Sequence, residues 1–207
     1  MKNYFYDGTF NGLLTILNTV LQSKILVNYG VFNIQNKKQV NLFDDYEIIE
    51  TDKEIAKQIW NLLSKNSSIA TNHIYKSFLA NDNEHYLLSL LTKIAANQEL
   101  SKKEFIDIEK SAQKIEREKN RILSYLRYNS QLRNTTTIYI KSKYKVEFLL
   151  TKNIRSLFAQ NTHWQIINSY HNHCIQFTDN KFTSKKVISK KQEIPFQKQM
   201  NPFKLAG

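Results

Sequence analysis

"EKNRILSYLRYNSQLRN", residues 118–134, is where the helical spacing of the upstream chain gives way to a period of two, and that change sets the architecture of the second half of the chain. At a period of two, "RILSYLRY" (121–128) places Arg121, Leu123, Tyr125 and Arg127 on one face, which predicts a strand. The polar "NSQLRN" then serves as a turn into a second strand, "TTIYIKSKY", whose Tyr139, Lys141 and Lys143 share a face. The same stretch holds three of five arginines, Arg121, Arg127 and Arg133; Arg117 precedes it and Arg155 follows it. The chain has 30 basic residues, and those other than these five are lysines spread along its whole length. A guanidinium offers a planar fork of donors that an ammonium lacks. Its concentration between residues 117 and 155 therefore points to phosphate recognition, or to intramolecular pairs such as Arg121 with Glu118.

Upstream of this stretch the pattern is mainly helical. "NYFY" reads as a short strand, Asp7-Gly8 as a turn, and Thr9 as the cap of a helix over about 10–23 with Leu13, Leu14, Ile16, Leu17, Val20 and Leu21 on its apolar face. Short extended pieces are expected around 25–34 and 46–50. Thr51 or Asp52 caps the helix "KEIAKQIWNLLSK", further helices are expected near 69–80 and 83–96, and Ser101 opens another carrying Phe105, Ile108, Ala112 and Ile115. Downstream, "KVEFLLTKNIRSLFAQN" returns to helical spacing, and "HWQIINSY" and "HCIQFT" read as a pair of strands. The expected fold class is α+β: a mainly helical N-terminal half followed by a basic ββαββ-like module. Residues 1–178 form one domain, helical to about 118 and mixed from 119 to 178, and 179–207 is a basic, loosely ordered tail.

Composition narrows the functional classes. The 207 residues are 41% hydrophobic and 12% aromatic, which suits a packed core, and only four glycines argue against a Gly-rich phosphate loop. No apolar run reaches the roughly 18–20 residues of a membrane span, so no membrane partner is expected. The start "MKNYFYDGTFNGLLTILNTVL" is interrupted by Asp7 and Gly8 and reads as a mature amphipathic helix rather than a leader. A single cysteine, Cys174, fits a reducing compartment, and a cytoplasmic location is expected. The net charge of +12 is uneven: residues 1–100 hold 9 basic and 10 acidic side chains, residues 101–155 hold 14 and 6, and residues 156–207 hold 7 and 2. Compositional bias toward lysine would raise charge everywhere, not in one half. A polyanionic partner, DNA or RNA, is the better account.

Arg121, Arg127, Arg133, Lys141, Lys143 and Arg155, with Tyr125 and Tyr139, are the candidate nucleic-acid-binding residues. Rings stack on bases while cations hold phosphates; the alternative for either tyrosine is packing in the core. Trp164 is expected in the core. His163, His171, His173 and Cys174 lie close in sequence, but a zinc site needs three or four convergent ligands, and hydrogen-bonded histidines are the simpler reading. No metal and no cofactor is expected. No Ser-His-Asp, P-loop or paired-carboxylate signature is present, so catalytic residues are unassigned and the expectation leans toward a non-enzyme. Tyr6-Asp7-Gly8 suits either a functional motif or a strand-to-helix turn.

"YFYDGTFNGLLTIL", "IIETDKEIAKQIW", "IYKSFL", "EKNRILSYLRY", "KYKVEFLL" and "HWQIINSY", in this order over roughly residues 3–178, resemble a bacterial family assigned to DNA metabolism or repair. Its members are encoded beside a radical-SAM protein assigned to DNA modification or repair, and some are fused to a uracil-DNA glycosylase domain. The chain looks like a divergent member, with Asn120, Asn153 and Asn168 at positions where the family carries other polar residues and an abbreviated ending, "FQKQMNPFK". The resemblance implies a nucleic-acid-binding accessory protein working with a radical-SAM partner. Two other readings stay open: an enzyme acting on nucleic acid through unrecognised acid–base residues, and a protein-interaction subunit without catalysis.

Overall fold

The computed structural model describes residues 2–23, 29–34, 45–128, 136–157, 163–179 and 181–186. The chain opens with β1 (Lys2–Tyr6), α1 (Phe10–Ser23), β2 (Tyr29–Asn33) and β3 (Asp45–Ile48). β1 is the central strand of a small parallel sheet in the order β2-β1-β3. A central parallel strand is covered on both faces, and Tyr4, Phe5 and Tyr6 are accordingly all buried. The turn into α1 follows from its residues. Gly8 takes a positive φ of 76°, Asp7 Oδ1 accepts from Thr9 N at 2.9 Å, and Thr9 Oγ1 accepts from Gly12 N at 3.0 Å as the helix cap.

Three long helices complete the N-terminal part: α2 (Lys53–Leu79), α3 (Glu84–Ala95) and α4 (Lys102–Tyr128). The two helices expected between 51 and 80 are both present, end to end within α2 and separated by a break at Ser67, which is extended at φ −156° and ψ 90°. Asp52 caps α2 through Glu54 N and Ile55 N, and Asn83 caps α3 through Tyr86 N. Ser101 and Glu104 exchange hydrogen bonds in a capping box at the start of α4.

α4 overturns the period-two reading. Residues 121–128, expected to be a strand, are the last two turns of this helix, whose buried side chains include Ile108, Ala112, Ile115, Ile122, Leu123 and Leu126. Spacings of three, four and seven continue one apolar stripe without a Gly or Pro to stop it, and that stripe packs on α2. Arg121 and Arg127 therefore do not share a strand face. Six residues apart on a helix, they point in directions differing by about 120°.

The C-terminal module is β4 (Thr137–Ile140), α5 (Glu147–Leu157), β5 (Trp164–Asn168), β6 (His173–Thr178) and β7 (Lys181–Lys186), a βαβββ order in place of the expected ββαββ. Its sheet runs β4-β5-β6-β7; β4 and β5 are parallel across α5, and β5, β6 and β7 are antiparallel neighbours. β4 thus pairs with β5 rather than with residues 121–128, which are helical. The tail expected from 179 begins with an ordered strand, β7, paired to β6 along all six residues. The α+β class and the helical N-terminal half stand. Trp164 is buried and stacks on Phe177 with ring centroids 5.2 Å apart. Among the described residues, no helix is long and apolar enough to cross a membrane.

Candidate functional site

A cavity of about 840 Å³ lies where the β1–α1 turn, both halves of α2 and the C-terminal module meet. One wall is aromatic. Phe10 meets Trp60, Tyr75 and Phe78 edge-on at centroid distances of 6.0, 5.0 and 5.3 Å. Lys53 and Lys57, one turn apart on the exposed face of α2, stand at the rim, and Lys145 lies with its ammonium 5.1 Å from the centre of the Phe78 ring. Cations around an aromatic wall suit an anionic ligand that also carries flat rings.

The opposite wall holds a buried carboxylate. Glu147 is the first residue of α5 and has no solvent exposure. A helix N-terminus favours negative charge, and Asn168 supplies a hydrogen bond from Nδ2 to Glu147 Oε2 at 2.9 Å. Asn168 is itself fixed. Its Oδ1 accepts from Ser142 N and Tyr170 N, and its Nδ2 also donates to the Tyr144 carbonyl. The other carboxylate oxygen, Oε1, lies 3.0 Å from His173 Nδ1. That approach is off the hydrogen-bonding axis, and neither atom has another hydrogen-bond partner. His173 Nε2 is 2.7 Å from Ser184 Oγ on β7. Phe148 covers the His173 ring at 5.0 Å. Burial, and after it the charge of Glu147, push the Tyr75 hydroxyl pKa above its ordinary value.

The positions named from sequence fall elsewhere. Arg121 is exposed, but Glu118 occupies its fork, with Nε to Oε2 and Nη2 to Oε1 both at 2.9 Å. That bond from Arg121 is the main reason the Glu118 carboxyl titrates below its usual range, against burial, with Ser142 and Lys143 assisting. Arg127 is exposed in the last turn of α4, where its charge complements the helix dipole. Tyr125 is half-buried against the core. Tyr139, Lys141 and Lys143 are exposed on and just after β4, with Lys143 lying 5.1 Å from the Tyr144 ring. The Arg155 guanidinium sits 5.4 Å from the Phe177 ring. Arg133 lies outside the described residues. These groups do not form one patch, but the segment 141–145 links two of them to the cavity: Lys143 acts on Glu118, while its carbonyl meets His171 Nε2 at 2.9 Å, and His171 lines the cleft.

The histidines and cysteine singled out as possible ligands are dispersed. His171 engages the Lys143 carbonyl and His173 bridges Glu147 and Ser184. The Cys174 thiol, pushed up by burial, points to Gln165 on the other face of the sheet. Among the described residues no group of three or more His, Cys, Asp or Glu could hold a metal ion. Asp7, in the Tyr-Asp-Gly motif, spends one carboxylate oxygen on the turn, through both the amide and the hydroxyl of Thr9.

Sequence reasoning missed Lys53, Lys57, Glu147 and Ser184. Glu147 left a trace: Glu147, Leu150 and Ile154, at i, i+3 and i+7, put a carboxylate on the apolar stripe of α5. Ser184 left none, because its meaning depends on the pairing of β7 with β6. Comparison with protein-family models, curated proteins and solved structures finds no match to this chain.

Proposed function

We propose that the chain is a nucleic-acid-binding accessory protein of DNA metabolism or repair, and that its contact surface is the lysine-rimmed cleft rather than the arginine window. One observation carries this reading: an open cavity of about 840 Å³ has aromatic rings for its wall and Lys53, Lys57 and Lys145 at its edge. A single strand or an unpaired end fits that arrangement better than a continuous duplex, since only unstacked bases can reach an aromatic wall. The excess positive charge of residues 101–207 would draw the polyanion in. The radical-SAM partner implied by family resemblance would bring its own iron–sulfur chemistry, which a single cysteine could not ligate here.

The test is fluorescence anisotropy with labelled single-stranded and duplex oligonucleotides. Single strands should bind more tightly, and tryptophan emission should be quenched on binding in the native chain but not in Trp60→Phe. Equal binding by the native chain and a folded Lys53→Ala/Lys57→Ala variant would overturn the assignment of the cleft.

A further inference from the structure

Glu147, His173 and Ser184 come from a helix and two strands, and the sequence gives no reason to group them. The structure places them in line along one wall of the cleft. Glu147 Oε1 is 3.0 Å from His173 Nδ1, and His173 Nε2 is 2.7 Å from Ser184 Oγ. We propose that this line is a nucleophilic relay: Ser184 attacks, His173 moves the proton, and Glu147 holds the imidazole. The substrate class is a carboxylic ester bearing an anionic group and a ring, matched to the lysines and the aromatic wall of the same cleft.

The chemistry follows from the protonation each contact requires. A buried carboxylate facing Nδ1 selects the tautomer with its proton on Nδ1, which leaves the Nε2 lone pair free to accept the Ser184 hydroxyl. Removal of that proton as Oγ attacks is the general-base step that activates a serine. As the Oγ–C bond forms, the proton passes to Nε2 and the imidazolium is stabilised by Glu147. The C–O bond to the leaving alcohol then breaks, and the alcohol takes the proton from Nε2. Water, activated in the same way, releases the acid and restores the serine. Neither oxidant nor metal enters the balance.

Three features separate this line from a structural contact. Glu147 is fully buried, and Asn168, with all its polar atoms engaged, fixes its second oxygen. Its cost of burial is met by partners that also aim its free oxygen at a histidine. Phe148 covers the ring of His173, so the imidazole is held where it can serve both neighbours. Ser184 is exposed on β7, the outer strand of the described sheet, so a substrate can reach Oγ. Successive N–H groups on a strand point to opposite sides. One of the pair Ser184 and Lys185 therefore directs its amide away from β6, as a donor for the developing oxyanion. Lys185 also lines the cleft, with its ammonium bonded to Gln176 Oε1 at 3.1 Å.

The relay does not depend on nucleic-acid binding, and the probe is a fluorophosphonate, with no nucleic acid present. Attack on it forms an Oγ–P bond, releases fluoride and sends the proton to Nε2. With the full-length chain at pH 8, intact-mass and peptide analysis should find one adduct, on Ser184. It should be absent from Ser184→Ala, and its rate should fall by roughly 100-fold or more in His173→Gln, the scale of a lost general base. Ser184 is exposed and His173 partly exposed, and melting temperatures confirm that the variants are folded. Glu147→Gln, if it folds, should slow labelling at every pH. Absence of an adduct on Ser184, or equal labelling of the native chain and a folded His173→Gln variant, overturns the proposal. In that case the line of contacts serves only to satisfy a buried carboxylate.

Discussion

Gly8 shows how closely a single residue can be specified. Its φ of +76° is one that side-chain-bearing residues rarely adopt, and a Cβ built there would lie 2.1 Å from Asn33 Nδ2. Gly8→Ala should therefore destabilise the fold by about 1–3 kcal/mol, combining the backbone conformation with displacement of Asn33. Chemical denaturation should show a lower midpoint at an unchanged slope, and a midpoint within error of the native chain would refute the strained geometry. Gly8 and the Thr9 cap were legible from "YDGTF" because turn and cap chemistry is local. Lys57 and Ser184 were not. What matters about each is what stands across the cleft from it, and no window of sequence contains that information.

At the scale of elements, α4 is where sequence reading succeeded at one end and failed at the other. Ser101 opened the helix as expected, through its exchange with Glu104. Its last two turns carry Ile122, Tyr125 and Tyr128, residue types common in strands, and so imitate one; packing against α2 decides for the helix. The same helix carries three carboxylates whose pKa values lie below the ordinary Glu value. Glu104 is lowered chiefly by its bond from Lys93. In Glu116, burial acts upward but is outweighed by Lys119 and Lys76, and Glu118 is lowered chiefly by Arg121. Each binds its proton more weakly folded than unfolded. Their contribution is thus complete above the unfolded value of about 4.3 and is lost as pH falls through the folded values. The melting temperature should drop as pH is lowered from about 5 toward 3. It should drop less steeply in Arg121→Ala, which removes the partner of Glu118. Identical acid profiles for the two chains would show that the Arg121–Glu118 pair contributes nothing.

Across the whole molecule, the question is which cations a polyanion meets. Net charge cannot answer it, because a sum does not say which cations are engaged: Arg121, held by Glu118 at 2.9 Å, has little left to offer a phosphate. Lys53 and Lys57 are exposed at the mouth of the cavity, in the half of the chain that sequence charge marks as neutral. The two assignments differ in a measurable slope. On single-stranded DNA, each phosphate neutralised contributes about −0.7 to the dependence of log K on log salt. Lys53→Ala/Lys57→Ala should therefore make the slope shallower by about 1.4, while Arg121→Ala leaves it within error. Titrations at four or five salt concentrations between about 50 and 200 mM are enough to separate these outcomes. If Arg121→Ala reduces the slope and the double lysine variant does not, the polyanion runs along α4, and the cleft belongs to some other ligand.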